Sequence, residues 1–293
     1  MSGLVQWTEL AALGLGVGFL AGMFGVGGGF LLTPLLTVLF GLPLPIAVGA
    51  GLCQMIGTAV AALLRHRRLG HGEPRFDLLM LPGALLGVEA GARLLAHLES
   101  LGTVSIAGRP IAVVNLVAEA SYAVLLLAVA ALFWREGRRG FEPLEYVRSG
   151  PLARIRLGPR VDLPHVPLRG VSALVIAYLG LALGVVSGLL GIGGGVALMP
   201  VLVYGYGFPL RQAAGTGIIL LVATATMGTF VHALRGHVPL ELAAALLLGS
   251  TLSAQLGAIA TRRVSARKLR RLFALVLVAT VAAIGWDLWR RLG

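Results

Sequence analysis

The sequence predicts an all-α integral membrane protein made of two inverted-topology repeats. Three observations predict this fold class: an apolar composition, a series of apolar segments, and a duplicated glycine motif. Of the 293 residues, 57% are apolar and 12% are charged, and mean hydropathy is +0.91. Soluble domains carry about 25% charged residues. Because 12 acidic residues could not cover the surface of a soluble protein of 30.4 kDa, we place the chain in the membrane.

Ten apolar segments follow one another along the chain and predict 8–10 helices, about five per repeat. Most are near the length that crosses the hydrocarbon core, but 30–41 and 196–206 are too short to cross alone. We expect these two to be half-helices or re-entrant arms. The runs are continuous, without the alternation of lipid-facing strands, which favours helices over a barrel. The ten segments are 10–24, 30–41, 43–64, 78–97, 111–134, 171–190, 196–206, 208–234, 240–260 and 272–289.

Basic residues outnumber acidic ones by 24 to 12, a balance that would suggest nucleic acid in a soluble protein. Here they lie between apolar segments, where they orient the chain and meet anionic lipid headgroups. We therefore expect the lipid bilayer as a partner and no nucleic acid. The positive-inside rule places the stretches 65–75, 135–169 and 262–271 in the cytoplasm, and the loop 98–110 and both termini outside.

An internal duplication runs through the chain at a constant offset. Gly22 matches Gly188, and 188 − 22 = 166; the same offset still pairs Gly91 with Gly257. The loop after the third segment is arginine-rich in the first copy but nearly bare in the second, so equivalent loops should lie on opposite sides. Inverted repeats are typical of secondary transporters, whose site lies near the midplane. The boundaries are 1–134 for the first repeat, 135–169 for a cytoplasmic linker with a small hairpin near 153–157, and 170–293 for the second repeat.

Each copy carries three consecutive glycines between two apolar helices. Glycine ends the first helix and lets the backbone turn. The amides that start the next helix are unpaired and lie at the positive end of its dipole, so two such starts meeting at the midplane would hold an anion. The alternative, that the glycines only permit close helix packing, stays open. The six glycines are Gly27, Gly28, Gly29, Gly193, Gly194 and Gly195.

The full motif is G-x-x-G-x-G-G-G-x(4)-P, at Gly22–Pro34 and Gly188–Pro200, and each copy continues with a proline and an A-x-G-x-G element. In a hydrophobic chain of this length, the doubled motif resembles the sulfite exporter TauE/SafE family of membrane permeases. The resemblance implies a multi-pass protein of the bacterial inner membrane that moves sulfite, an organosulfonate, or a related sulfur-containing or carboxylate anion. It does not determine which anion.

Ionisable side chains within the apolar segments are further candidates, because they are costly at membrane depth. Glu89 and Arg93 share one helical face, either as a locked pair or with Arg93 attracting the anion and Glu89 carrying a proton. Glu119, which has no cationic neighbour in sequence, is a second proton-coupling candidate. The other substrate-binding candidates are polar residues that can donate hydrogen bonds to an anion, although threonines often only satisfy helix backbone. They are Gln54, Thr58, Thr216 and Gln255.

We expect structural roles for two other sets of residues that match between the two copies. The histidines His66 and His232 lie at helix ends and are expected to cap or anchor these ends rather than transfer protons. A set of small residues at spacing four is expected to pack helices closely. They are Gly14, Gly18 and Gly22, Gly83, Gly87 and Gly91, and their counterparts Gly180, Gly184, Gly188, Gly249, Ser253 and Gly257.

The sequence thus predicts a secondary permease that moves a small anion by alternating access, with proton coupling as an option. An anion channel with the same glycines but no alternating cycle is the alternative. No Ser/His/Asp or metal-ligand cluster gathers in one region, so we expect no enzyme, no metal and no cofactor. The single cysteine, Cys53, excludes an intrachain disulfide. The expected partners are the anion and the bilayer, with a homodimer as a further option.

Overall fold

A computed structural model describes most of the chain. It covers residues 3–24, 27–68, 72–106, 109–138, 150–166, 168–261, 264 and 266–292. The side chains at 65–68, His66 among them, and residues 139–149, 167, 262, 263 and 265 of the basic stretches lie outside the described part. The cytoplasmic placement of these stretches stays a prediction.

The described residues form eleven α-helices and two short hairpins. The helices are α1 (Gly3–Phe24), α2 (Gly29–Phe40), α3 (Leu44–Arg68), α4 (Pro74–Ser100), α5 (Val113–Arg138), α6 (Ala173–Leu190), α7 (Gly195–Pro200), α8 (Leu210–Gly215), α9 (Ile218–Leu234), α10 (Leu240–Thr261) and α11 (Ala266–Leu292). Helix α7 continues as a π-helical segment, Val201–Tyr206. The strands are β1 (Thr103–Ile106), β2 (Arg109–Ala112), β3 (Arg160–Leu163) and β4 (Leu168–Ser172).

Seven helices in the described ranges are long and apolar enough to cross a membrane, which confirms the predicted all-α multi-pass fold class. They are α1, α3, α4, α5, α6, α10 and α11. The two segments predicted as half-helices are short, at Gly29–Phe40 and Gly195–Tyr206. Each follows a break at the glycine motif, as expected.

The segment predicted at 208–234 is not one helix but two, α8 and α9, separated at Thr216 and Gly217. Gly217 has a φ of +90°, and its amide donates to Oδ1 of Asp77 at 2.6 Å. This hydrogen bond from another helix stabilises a break that apolar composition does not reveal. In the first copy the corresponding stretch lies inside the continuous helix α3.

Both hairpins are antiparallel, β1 with β2 and β3 with β4. The second hairpin lies between 160 and 172, later in the linker than the predicted 153–157, where the chain forms a 3-10 turn at Leu152–Arg154. The first lies in the loop predicted at 98–110, for which the sequence offered no strand signal.

The two halves are interleaved, because α1 packs along α10 and α6 packs along α4. A Cβ added at Gly18 would lie 2.4 Å from the Ser250 carbonyl oxygen, and one at Gly184 would lie 2.2 Å from that of Ala84. These two contacts are equivalent at the 166-residue offset with the halves exchanged, since 184 − 18 = 166 and 250 − 84 = 166. The glycine stripes therefore do pack helices closely, as the sequence predicted.

Candidate functional site

The two glycine breaks meet inside the protein. A Cβ added at Gly29 would lie 2.6 Å from the carbonyl oxygen of Gly191, so the backbones of the two motifs touch. The hydroxyl oxygen of Thr33, in α2, lies 3.0 Å from the Cβ position of Gly191. We call the residues Gly27–Gly29 and Gly191–Gly195 the glycine tips. Any side chain at Gly29 would push the two tips apart.

The tips have the same backbone conformation. Gly28 has φ 79° and ψ −20°, and Gly194 has φ 78° and ψ −18°, both in the left-handed region that favours glycine. Each is the residue before a short apolar helix, and neither makes a side-chain cap of the first turn. Helices α2 and α7 thus both begin at the tips, where the first amides of each helix lie at the positive end of its dipole.

Gln54 is the most unusual of the predicted polar candidates. It is fully buried on α3, and neither its amide nitrogen nor its amide oxygen has a hydrogen-bond partner among the described residues. A buried unpaired amide costs folding free energy, so such a group calls for a reason. On α3 it shares a face with Gly51, which lies beside Thr33, and it is next in sequence to Met55, which touches both tips. Gln54 therefore lies on the stretch of α3 that approaches the glycine tips.

The predicted threonines have structural partners. Thr58 donates to the carbonyl oxygen of Met55 at 3.1 Å, one turn back on α3. Thr216 donates to the carbonyl oxygen of Gln212 at 2.8 Å and accepts from the amide of Glu73 at 3.0 Å. Both hydroxyls are engaged by backbone groups in this conformation.

Two buried carboxylates that sequence reasoning missed surround Thr216. Glu73 is fully buried, and its Oε2 accepts from the amide of His165 at 2.8 Å and lies 3.3 Å from Nδ1 of that histidine. Asp77, also buried, accepts from Gly217. Both residues precede the predicted segment 78–97, where an acidic side chain normally belongs to a solvated loop. Only the tertiary structure shows that they join α4 to the linker hairpin and to the break before α9.

The structure does not bring Arg93 to the tips. Its Nε lies 2.7 Å from Oε1 of Glu89, and its side chain is 73% exposed. Nη2 of Arg235 lies 3.8 Å from the same Glu89 oxygen. The locked pair that the sequence left open is thus present, with a second arginine beside it. Gln255 is exposed on α10 and is likewise not brought to the tips.

Glu119 lines a small pocket that includes Pro34 of the first glycine motif. Its Oε1 lies 3.4 Å from Nη1 of Arg291, so α11 supplies the cation that the local sequence lacks. Arg291 is also paired with Asp287. The pocket is lined by Pro34, Thr37, Leu42, Leu44, Asn115, Glu119, Tyr122, Ile284 and Arg291. Tyr122 connects this pocket to the second tip, because its hydroxyl donates to the carbonyl oxygen of Leu190 at the end of α6.

His232 anchors a helix end, the role that the sequence favoured. It is fully buried, and its Nε2 donates to the carbonyl oxygen of Gly188 at 3.1 Å, which joins α9 to the second glycine motif. The ring of His237 lies 5.8 Å away, centroid to centroid. Its counterpart His66 has a side chain outside the described part.

The comparison with protein families agrees with this architecture. The family model for the sulfite exporter TauE/SafE matches residues 10–284, nearly the whole chain. The chain belongs to the sulfite exporter TauE/SafE family. The match includes both glycine motifs and all the candidate residues, which confirms the resemblance inferred from the doubled motif.

Similar proteins from several organisms carry a consistent name. A "Probable membrane transporter protein" of Xylella fastidiosa strain Temecula1 is 26% identical over 279 residues, which cover 94% of each chain. The similarly named YunE of Bacillus subtilis is 23% identical and covers 94% of this chain and 95% of its own. One from Methanocaldococcus jannaschii is 22% identical, with 92% and 91% covered. No solved structure matches the chain. The family and these names support a multi-pass membrane transporter.

Proposed function

We propose that this TauE/SafE family member moves a small anion, sulfite, an organosulfonate or a related sulfur-containing or carboxylate anion, across a bacterial inner membrane by alternating access. The observation that carries the proposal is the contact between Gly29 and Gly191, which joins the tip that begins α2 to the tip that leads from α6 into α7. Helix starts of this kind bind anions through amide groups and the helix dipole. A buried, unpaired amide at Gln54, next in sequence to Met55, is a further donor on the stretch of α3 that approaches the tips.

The exchanged contacts of the two halves support inverted repeats. The glycine contacts between α1 and α10 recur between α6 and α4 with the copies exchanged, as a two-fold rotation between the halves would give. The predicted topology has an odd number of crossings per copy, which would place the rotation axis in the membrane plane and set the copies in opposite orientation. A structure of this kind can present the same tips to either side through the rocking of one half against the other. This favours a carrier over the alternative, an anion channel.

Proton coupling is part of the proposal, with Glu119 and Glu89 as its candidates. Glu119 lines a pocket that includes Pro34 of the first glycine motif, and Glu89 lies one residue from Val88, whose carbonyl oxygen is 2.2 Å from the Cβ position of Gly188. Each carboxylate is paired with arginine, so a proton that binds it would release a cation. Coupling through either residue would therefore change contacts next to a glycine tip.

Purified protein in proteoliposomes tests the function. We expect vesicles loaded with unlabelled sulfite, methanesulfonate or acetate to accelerate uptake of the same labelled anion, because a carrier exchanges its cargo and a channel does not. Gly29→Ala should reduce this exchange at least about tenfold, since its Cβ would lie 2.2 Å from Sδ of Met55 and 2.6 Å from the Gly191 oxygen.

The matched control is Gly285→Ala, where an added Cβ meets nothing within 4 Å among the described residues. It should exchange anions at the wild-type rate. Wild-type vesicles that exchange none of the three anions would contradict the proposed function, and uptake without acceleration would favour the channel.

A further inference from the structure

Two apolar side chains fill the space between the glycine tips. A Cβ added at Gly193 would lie 2.1 Å from Cε of Met55 and 2.6 Å from Cδ1 of Leu221. The same two side chains approach Gly27, where the distances from an added Cβ are 3.1 Å and 2.9 Å. Met55 is fully buried and Leu221 is 6% exposed. Each side chain therefore touches the tip of its own repeat and that of the other.

The two residues are equivalent positions of the repeat, since 221 − 55 = 166. They form a small apolar cluster, separate from the two larger cores, with Ala59 and Ala225, which are also 166 residues apart. Ile56 and Val222, again equivalent positions, pack against the cluster from the side. A cluster built only of equivalent pairs lies where the two-fold relation brings α3 and α9 together.

The position of this cluster has a consequence for any anion held at the tips. Both tips contact Met55 and Leu221, so an anion that reaches the amides of both tips must displace these side chains. Met has three rotatable bonds and adapts its shape easily, and the alanines behind it leave little bulk on the same face. The tips are closed by the two side chains in this conformation, and cargo of greater length requires a larger displacement.

We propose that Met55 and Leu221 form an apolar gate between the glycine tips and set the length of anion that can pass. This inference rests on the proposed anion site. It assigns selectivity to α3 and α9 rather than to the charged side chains, because neither Arg93 nor Arg235 contacts the tips in the described structure.

Uptake of alkanesulfonates of increasing length tests the gate as a selectivity element. We expect Met55→Ala, Leu221→Ala and above all the double variant to raise the rate of butanesulfonate uptake relative to methanesulfonate by about tenfold or more, the usual effect of a few methylene groups in a tight apolar pocket. Ile56→Ala and Val222→Ala are matched controls that should keep the wild-type ratio. A double variant that still carries methanesulfonate with an unchanged ratio would overturn the proposal.

A labelling experiment tests the gate without transport. In a Cys53→Ala background, Met55→Cys should react slowly with the anionic thiol reagent methanethiosulfonate ethylsulfonate, because the site is closed. Adding Leu221→Ala should accelerate the reaction about tenfold, the change expected when a tight apolar contact is lost, whereas Val222→Ala should not. Acceleration without any anion exchange would support the gate and contradict the proposed function. Equal rates in both backgrounds would overturn the gate, whether or not anions are exchanged.

Discussion

At the scale of single residues, this protein places charge beside its glycine tips but not on them. Glu89 is shared by Arg93 and Arg235, and Glu119 is paired with Arg291. Gln54, on the stretch of α3 that approaches the tips, is neutral and lacks a partner in the described structure. A neutral donor can bind an anion without the desolvation cost of a buried guanidinium. The carboxylates of the pairs Glu89–Arg93 and Glu119–Arg291, which are not part of the tips, are then available to bind and release protons.

Glu119→Gln tests the coupling role at this scale. We expect wild-type vesicles to take up sulfite faster when the outside is acidic, and the variant to keep exchange but lose this stimulation, because glutamine cannot bind and release a proton. Uptake against an imposed pH gradient measures the effect. Glu241→Gln, at an exposed carboxylate in the first turn of α10, is the control and should keep the stimulation.

Glu89→Gln tests the other candidate in the same assay. Only the variant that lacks the coupling carboxylate should lose the stimulation of uptake by an acidic outside. If both variants keep the wild-type stimulation, neither residue couples protons to transport.

At the scale of elements, close helix packing organises the molecule. Along α4 and α6, Gly83, Gly87, Gly180 and Gly184 each bring a backbone against the facing helix, with Cβ positions about 2.2 Å from a carbonyl oxygen. The same arrangement joins α1 to α10. These pairs hold each first helix of a repeat against the other repeat, and thereby position both glycine tips.

Gly184→Ala should separate α4 from α6 and lower stability by about 1–3 kcal/mol, the usual cost of overpacking a tight contact. The reason is that the added methyl group would lie 2.2 Å from the Ala84 oxygen, which belongs to a rigid backbone. The unfolding temperature in detergent measures the effect. Gly16→Ala, whose Cβ meets nothing within 4 Å among the described residues, should leave this temperature unchanged or slightly raised. Equal unfolding temperatures for the two variants would contradict the packing role.

At the scale of the whole molecule, the orientation of the chain follows from its loops. The predicted topology places the hairpin β1–β2 outside the cell and the linker around residue 157 in the cytoplasm. Both carry exposed positions, Ser105 and Leu157. The native Cys53 is half-buried and can be replaced, so a single introduced cysteine reports on each side.

In a Cys53→Ala background, Ser105→Cys should react with a membrane-impermeant maleimide in intact spheroplasts, and Leu157→Cys only after lysis. The positive-inside rule is the physical reason, because the linker carries the basic residues. Labelling of both positions from the same side would contradict the predicted topology and the opposite orientation of the repeats with it.

Much of the fold could be predicted because it depends on local properties of the chain. Apolar runs near 20 residues predict crossing helices, and three glycines in a row predict a break, whatever the neighbours are. The 166-residue offset predicts which positions are equivalent, Met55 and Leu221 among them, although nothing in the sequence says that these two meet. Of the candidate site, the sequence correctly indicated that both glycine motifs begin short helices.

The tertiary structure alone decided which distant residues are partners. Glu119 and Arg291 are 172 residues apart, and Asp77 and Gly217 are 140 apart. Such pairs depend on which helix faces meet, and a periodic apolar pattern in a membrane does not specify a facing partner because lipid and protein neighbours are equally apolar. The sequence by itself therefore determined the class of fold, the breaks at the two glycine motifs and the duplication. Helix packing decided that the tips touch, that Met55 and Leu221 close them, and that Arg93 and Gln255 lie elsewhere.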